Sequence, residues 1–165
     1  MTRTAAREIA IQLCFAAAAA DQDPRELAGR FFEPEHYESL AQESELFREL
    51  PDERQMDYIL RLTALCAERR EEIDALIERY ARGWRVERIS RTALAVLRCA
   101  LCEILYMEDI PNAAAINEAV ELCKGYDEPD TVAFVNGVLG GIVRGELGGE
   151  TEQPALPAED APAQE

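Results

Sequence analysis

The sequence offers few side chains that could carry out catalysis. His36 is the single histidine, and it lies in an acidic, proline-containing stretch where we expect a solvated surface position. Histidine is the commonest general acid–base residue and a frequent zinc ligand. Ser39, Ser44 and Ser90 lack the glycine context of a serine nucleophile, and the sequence contains no glycine-rich phosphate loop. We therefore expect that the protein is not an enzyme and uses no cofactor.

Two cysteines have the spacing of half a zinc site. Cys99 and Cys102 are separated by two residues, but no second pair follows at the spacing of a zinc ribbon. They fall within a long apolar helical pattern, so we interpret them as core cysteines and expect no metal site. The five cysteines are odd in number, the start lacks the pattern of an export signal, and no apolar run approaches membrane-spanning length. We expect a cytoplasmic protein with reduced thiols and no membrane contact.

Charge limits the class of binding partner. The net charge is −16, with 33 acidic against 17 basic residues. Nucleic-acid-binding domains usually carry a basic excess, so this total argues against avid, nonspecific binding of nucleic acid. Lys124 is the only lysine, and the densest basic region, residues 79–98, contains six arginines and one glutamate. Most of these arginines are typical of solvated ion pairs. Arg98 lies among leucines and needs a buried partner, for which Glu118 and Glu121 are candidates.

The hydrophobic pattern predicts α-helices throughout, since Ala, Leu, Glu and Arg dominate the sequence. A first helix covers residues 3–20, and Asp23-Pro24 begins a second one. Residues 33–53 have the composition of a solvated insertion with one short helix over about 36–50. The helix over about 86–107 is apolar nearly all round, which is typical of a buried central helix.

The stretch FVNGVLGG, residues 134–141, contains the pair Asn136-Gly137, which signals a hairpin when it lies between strands. The apolar residues around the pair recur every four positions, which is a helical period. We therefore place the pair inside a last helix over about 131–144. Each glycine there costs about 0.5–1 kcal/mol relative to alanine. The glycines of this stretch predict that another backbone packs closely against the helix.

Three stretches together resemble the NusB family of transcription antitermination factors. They read AAREIAIQLCF near the start, WRVERISRTALAVLRCALCEILYMEDIPNAAAINEAVELCKGY in the middle, and FVNGVLGGI near the end. The match covers about residues 3–20 and 84–144, whereas residues 21–60 match poorly. The resemblance implies an all-α fold, a NusB-like helical bundle of two subdomains with about seven helices.

We expect a NusB-like RNA-binding helical domain over residues 1–145. Its N-terminal subdomain covers about 1–83, and its C-terminal subdomain covers about 84–145. Residues 146–165 contain six acidic residues and no basic one, and they are rich in Gly, Pro, Glu and Ala. This composition predicts a disordered acidic C-terminal tail.

The resemblance also implies a function. Members of the family bind the boxA RNA of ribosomal RNA leaders together with NusE, which is also a small-subunit ribosomal protein. The pair assists RNA polymerase, within an antitermination complex, in processive transcription of ribosomal RNA. The alternative is a helical protein-binding adaptor with a weakened RNA site, which the acidic charge favours. The sequence leaves open whether the protein is a monomer or a homodimer.

The RNA-binding residues follow from the resemblance, position by position. Arg3 and Arg7 match basic positions at the start of the family's first helix, and Thr4 fills one that is often basic. Phe15 could stack on a base or belong to the core, and the sequence leaves both open. At the start of the last helix the matching residues are Asp130, Thr131, Ala133 and Phe134. Backbone N–H groups there could receive phosphate, or Asp130 is simply the helix N-cap.

By the same resemblance, the second subdomain faces NusE. Glu87, Arg88 and Arg91 are then the expected partner-binding residues. Because several basic positions of the family are lost, and each lost phosphate contact lowers affinity, we expect the isolated chain to bind RNA weakly.

Overall fold

The computed structural model describes residues 1–148. Within that range the chain forms eight α-helices and two short 3₁₀ turns, with no strand. The all-α prediction is confirmed, with one helix more than the seven expected. Packing divides the chain into two compact units, Met1–Glu68 and a second that begins at Arg69, whereas the sequence placed a subdomain boundary near residue 83. None of the helices in the described residues is both long and apolar enough to cross a membrane.

The first unit is built from four helices. They are α1 (Arg3–Ala19), α2 (Pro24–Phe31), α3 (Pro34–Leu40) and α4 (Glu53–Glu68). α1 packs mainly on α4, and α2 packs on both. The fully buried side chains include Ile9 and Leu13 from α1 and Ile59 and Leu62 from α4. Their i, i+3 and i+4 spacing gives each helix the apolar stripe that faces the core.

Residues 33–53 are more than a solvated insertion. The rings of Phe31, Phe32, Tyr37 and Phe47 form a cluster with centroid separations of 5.0–6.0 Å. The Tyr37 hydroxyl donates to the Glu49 carbonyl oxygen at 2.8 Å. The expected single helix over 36–50 is wrong in its bounds, because α3 ends at Leu40 and a 3₁₀ turn follows at Glu45–Phe47. These aromatic residues follow no single period, so the sequence pattern did not reveal the cluster.

The second unit is built from the remaining helices. They are α5 (Arg70–Tyr80), α6 (Arg91–Tyr106), α7 (Asn112–Lys124) and α8 (Pro129–Leu147). Every residue from Ala93 to Ile104 is buried, which confirms the central position predicted for this helix. α6 begins later than expected, because Val86–Arg88 forms a 3₁₀ turn and the Ser90 hydroxyl accepts from the Ala93 N–H at 3.2 Å. A serine N-cap of this kind starts a new helix.

α8 contains the Asn136-Gly137 pair, so the helical interpretation of FVNGVLGG is confirmed. The helix continues to Leu147 and ends at Gly148, whose φ of +84° is the left-handed conformation that glycine favours at a helix end. The first two residues of the predicted disordered tail, 146 and 147, are therefore helical. The rest of that tail, residues 149–165, lies outside the described residues.

The close neighbour of α8 at two of its glycines is an aromatic ring. A Cβ on Gly141 would lie 3.5 Å from Cδ1 of Tyr80, and one on Gly145 would lie 2.7 Å from Cε1 of the same ring. The Tyr80 hydroxyl donates to Glu146 at 2.6 Å. At Gly141 the expectation of a close backbone is wrong, because the side chain of a neighbouring helix occupies that space.

Candidate nucleic-acid interface

Arg3 and Arg7 lie one turn apart on α1, and both guanidinium groups face the ring of Tyr58 on α4. The Cζ atom of Arg3 is 5.2 Å from the ring centroid, and that of Arg7 is 5.8 Å from it. These distances are within the range of a cation–π interaction. α1 begins at Arg3 because the Thr2 hydroxyl accepts from the Ala5 N–H at 3.0 Å. The structure thus brings together two residues that the sequence selected and adds one, Tyr58, that it missed.

The two arginines differ in exposure. Arg3 and its neighbour Thr4 are exposed, whereas Arg7 is only 4% exposed and Tyr58 only 7%. Arg3 can therefore reach a phosphate directly, while Arg7 is packed into the contact between α1 and α4. A helical pattern placed both arginines on one face, but it could not show how much of each side chain α4 covers.

Phe15 lies on the surface of α1. Its side chain is 37% exposed, while Cys14 and Ala17 beside it are buried. Of the two alternatives for this residue, the structure favours the exposed one. An exposed aromatic ring offers an unpaired base a stacking surface. Its use in RNA binding stays a prediction.

The start of α8 differs from the expected phosphate site. The N-cap is Glu128, and Asp130 lies in the first turn after Pro129, so the interpretation of Asp130 as the N-cap is wrong. Thr131 and Phe134 are buried. The Phe134 ring centroid lies 6.5 Å from that of Trp84, which places this side chain in aromatic packing.

The exposed groups at this helix end are acidic. Ala133 is half-buried, and Asp130 is the one fully exposed member of the four predicted residues. Carboxylates at a helix N-terminus compensate the helix dipole themselves. They also repel phosphate, so this end of α8 is a weaker anion site than the sequence predicted.

The last turn of α7 holds a thiol, that of Cys123, against the loop before α8. The Cys123 thiol donates to Asp127 with a sulfur–oxygen distance of 3.6 Å. Burial, followed by the neighbouring Asp127 carboxylate, raises the pKa of Cys123 to about 12. Burial also raises the pKa of the Asp127 carboxyl. A thiol held protonated is a poor nucleophile and metal ligand. Cys99 and Cys102 are buried in α6, as the interpretation as core cysteines predicts.

The three residues expected to bind a partner protein are all on the surface. Glu87 and Arg88 belong to the 3₁₀ turn before α6, and Arg91 is the first residue of α6. All three are exposed. Arg88 and Arg91 project their charges outward from a short segment of an otherwise acidic protein, which suits a contact with an acidic protein surface.

Arg98 has an acidic partner, as its buried position predicts, but that partner is half-buried and lies on a different helix from the two candidates. Its Nε and one terminal nitrogen donate to the two carboxylate oxygens of Asp74 on α5, each at 2.8 Å. The prediction of Glu118 or Glu121 is wrong. The spacing of apolar residues shows that α6 is central, but not which neighbouring helix faces Arg98.

These features define an all-α protein of two helical units, with an exposed arginine, Arg3, at the start of its first helix. A sequence model of the NusB family matches residues 4–144. A transcription antitermination protein NusB from Symbiobacterium thermophilum is 39% identical over 155 residues, which cover 90% of this chain and 93% of that protein. Another, from Acetivibrio thermocellus, is 37% identical over 147 residues, covering 89% and 92%. The chain therefore belongs to the NusB family, and both of these relatives are transcription antitermination proteins.

Solved structures share the fold. NusB from T. maritima is similar with a TM-score of 0.72 and 26% identity, covering 87% of this chain and 92% of that one. A crystal structure described as a plectonemic RNA supercoil contains a chain of the same fold, with a TM-score of 0.73 and 22% identity, covering 90% and 99%.

Proposed function

We propose that this protein binds the boxA RNA of ribosomal RNA leaders together with NusE. In the cytoplasm, the complex assists RNA polymerase in processive transcription of ribosomal RNA. Membership of the NusB family supports a role in antitermination. The observation that carries RNA binding is the surface of α1, where the exposed Arg3 lies over the Tyr58 ring. On the same helix, Phe15 exposes an aromatic ring.

The proposed RNA-binding residues contribute unequally. Arg3 and Thr4 are placed to contact phosphate, and Phe15 to stack on a base. Arg7 acts as a support within the contact between α1 and α4, because it is buried. The predicted residues of α8, Asp130, Thr131, Ala133 and Phe134, contribute least, because only the acidic one is fully exposed. We therefore expect low affinity for RNA in the isolated chain, since few phosphates can be neutralised.

Partner binding compensates for this low affinity. Glu87, Arg88 and Arg91 form an exposed, mostly basic segment, and we assign to it the contact with NusE. A partner that binds the chain and the RNA together raises the effective concentration of the RNA.

A protein-binding adaptor that no longer binds RNA is the second candidate function. The acidic start of α8 favours it, because that end of the helix repels phosphate. The two functions differ in one measurable property, which is whether binding of boxA RNA depends on Arg3.

The test is a titration of labelled boxA RNA with the full chain at several salt concentrations. Arg3→Ala should weaken binding and reduce the slope of log K against log salt by about 0.7, the value for one phosphate of single-stranded nucleic acid. Arg48→Ala is the matched control, because Arg48 is an exposed arginine paired with Glu45 at 3.4 Å, and it should change neither quantity. Equal affinity and equal slope for the wild type, Arg3→Ala and Arg48→Ala would favour the protein-binding adaptor as the function.

A further inference from the structure

We propose that Tyr58 is the positioning residue of the RNA surface: its ring holds the Arg3 guanidinium in place before RNA arrives. This inference rests on the proposed function. The ring belongs to α4 and is 7% exposed, so RNA meets Arg3 and not Tyr58. Tyr58 therefore acts on RNA only through the side chain that lies over it.

The Tyr58 ring contacts two guanidinium groups, those of Arg3 and Arg7. Arg3 and Arg7 are four residues apart and share a helix face, and their Cζ atoms lie 5.2 and 5.8 Å from the same ring centroid. Arg7 is 4% exposed and is therefore the buried arginine of this pair. Its position fixes the first two turns of α1 against α4, and so fixes where Arg3 leaves the helix.

A second contact ties the same two segments together. The side-chain amide of Gln55 donates to the carbonyl oxygen of Met1. Gln55 lies one turn before Tyr58 on α4 and therefore on the same side of that helix. Residues immediately before and within the first turn of α1 are thus held by successive turns of α4.

Ordering Arg3 in advance raises affinity. A free arginine side chain loses much rotamer freedom when a phosphate fixes it, and a side chain already fixed loses less on binding. A guanidinium lying over a ring also keeps its N–H donors at its edges, where phosphate oxygens can accept from them. A single exposed arginine can therefore be a useful contact in a protein with a net charge of −16.

The test is a double-mutant cycle in boxA RNA binding with the full chain. Tyr58→Leu should weaken binding about three- to fivefold, the range expected for one cation–π contact. Tyr58→Phe keeps the ring and should bind within about twofold of the wild type. Arg3→Ala with Tyr58→Leu should bind no more weakly than Arg3→Ala alone, because Tyr58 acts only through Arg3. Additive losses, or unchanged affinity of Tyr58→Leu, would overturn the inference.

This pattern separates the inference from the proposed function. If Arg3→Ala weakens RNA binding while Tyr58→Leu does not, the RNA surface stands and the positioning role fails. If Arg3→Ala changes nothing, both fail.

A measurement on the wild-type chain covers the case in which Tyr58→Leu does not fold. The NMR signals of the Arg3 side chain should be shifted upfield by the ring, and Nε of Arg3 should be rigid without RNA. Arg48, which lies over no aromatic ring among the described residues and forms only an exposed ion pair, is the reference for a surface arginine without a ring contact. An Arg3 side chain as mobile as that of Arg48 would overturn the positioning role.

Discussion

An ion pair between Arg98 and Asp74 joins α5 to α6 inside the second unit. Arg98 is 8% exposed, and its fork meets both oxygens of Asp74 at 2.8 Å. Arg70 approaches the same carboxylate from the surface, with its Nε 3.9 Å from Asp74. The two arginines thus share one acidic partner, but Arg98 is buried and Arg70 is half-exposed. We therefore expect the two ion pairs to contribute differently to the free energy of unfolding.

Removing the carboxylate should leave Arg98 as an uncompensated buried charge. We expect Asp74→Ala to lower the free energy of unfolding by about 3 kcal/mol, the scale for breaking a buried pair. Arg70→Ala removes a half-exposed, distant partner and should change it by less than about 0.5 kcal/mol. Urea denaturation of both variants checks this. A loss in Asp74→Ala as small as that in Arg70→Ala would show that water already solvates Arg98.

At the scale of single residues, the sequence singled out particular side chains but did not show what surrounds them. That Arg98 needed a partner followed from its apolar neighbours, whereas the identity of Asp74 required the packing of α5 on α6. The resemblance selected Arg3 and Arg7 together. Their different burial depends on how α4 packs on α1. The ring that both arginines face, Tyr58, lies more than fifty residues away along the chain and carries no motif of its own.

At the scale of whole elements, two helix glycines differ in what lies beside them. Gly29 in α2 has nothing within 4 Å of the place a Cβ would take. Gly145 in α8 has the Tyr80 ring there, with Cε1 at 2.7 Å. Both lie inside helices, where alanine is favoured over glycine by about 1 kcal/mol. Alanine should therefore raise the free energy of unfolding at Gly29 and not at Gly145.

We expect Gly29→Ala to raise the free energy of unfolding by about 0.5–1 kcal/mol. Gly145→Ala should give no such gain, because the Tyr80 ring must move and its 2.6 Å hydrogen bond to Glu146 contributes about 1 kcal/mol. Thermal unfolding of the pair, made in the same background, measures the difference. Equal stabilisation by both substitutions would mean that the ring moves aside freely.

Helix type was predictable from the sequence, and helix boundaries less so. The four-residue period placed Asn136-Gly137 in a helix correctly, because period outweighs a two-residue turn signal. The start of α6 was placed too early, since apolar residues continue the pattern through Val86 while Ser90 caps the helix four residues later. Caps act through a single hydrogen bond, which a periodicity argument does not detect.

At the scale of the molecule, the net charge of −16 and the family relationship point in opposite directions. The family implies RNA binding, while the charge opposes it at long range. The exposed cations in the proposed contacts are few: Arg3 on α1, and Arg88 and Arg91 before and at the start of α6. We propose that a partner protein supplies further contacts to the RNA and so compensates for the unfavourable charge.

For the molecule as a whole, the sequence resemblance predicted some parts of the chain better than others. It gave the fold class and the family for most of the chain. It gave little for residues 21–60, where the match was poor. There the structure shows α3 and an aromatic cluster that joins Phe31 to Phe47 at a centroid distance of 5.6 Å.

The most direct test of the account is the affinity of the full chain for boxA RNA, measured by fluorescence titration with and without NusE at one salt concentration. We predict weak binding by the chain alone and at least about tenfold tighter binding with NusE, a difference of about 1.4 kcal/mol. Equally tight binding without the partner, or no RNA binding with the partner present, would contradict the proposal that the two proteins bind this RNA together.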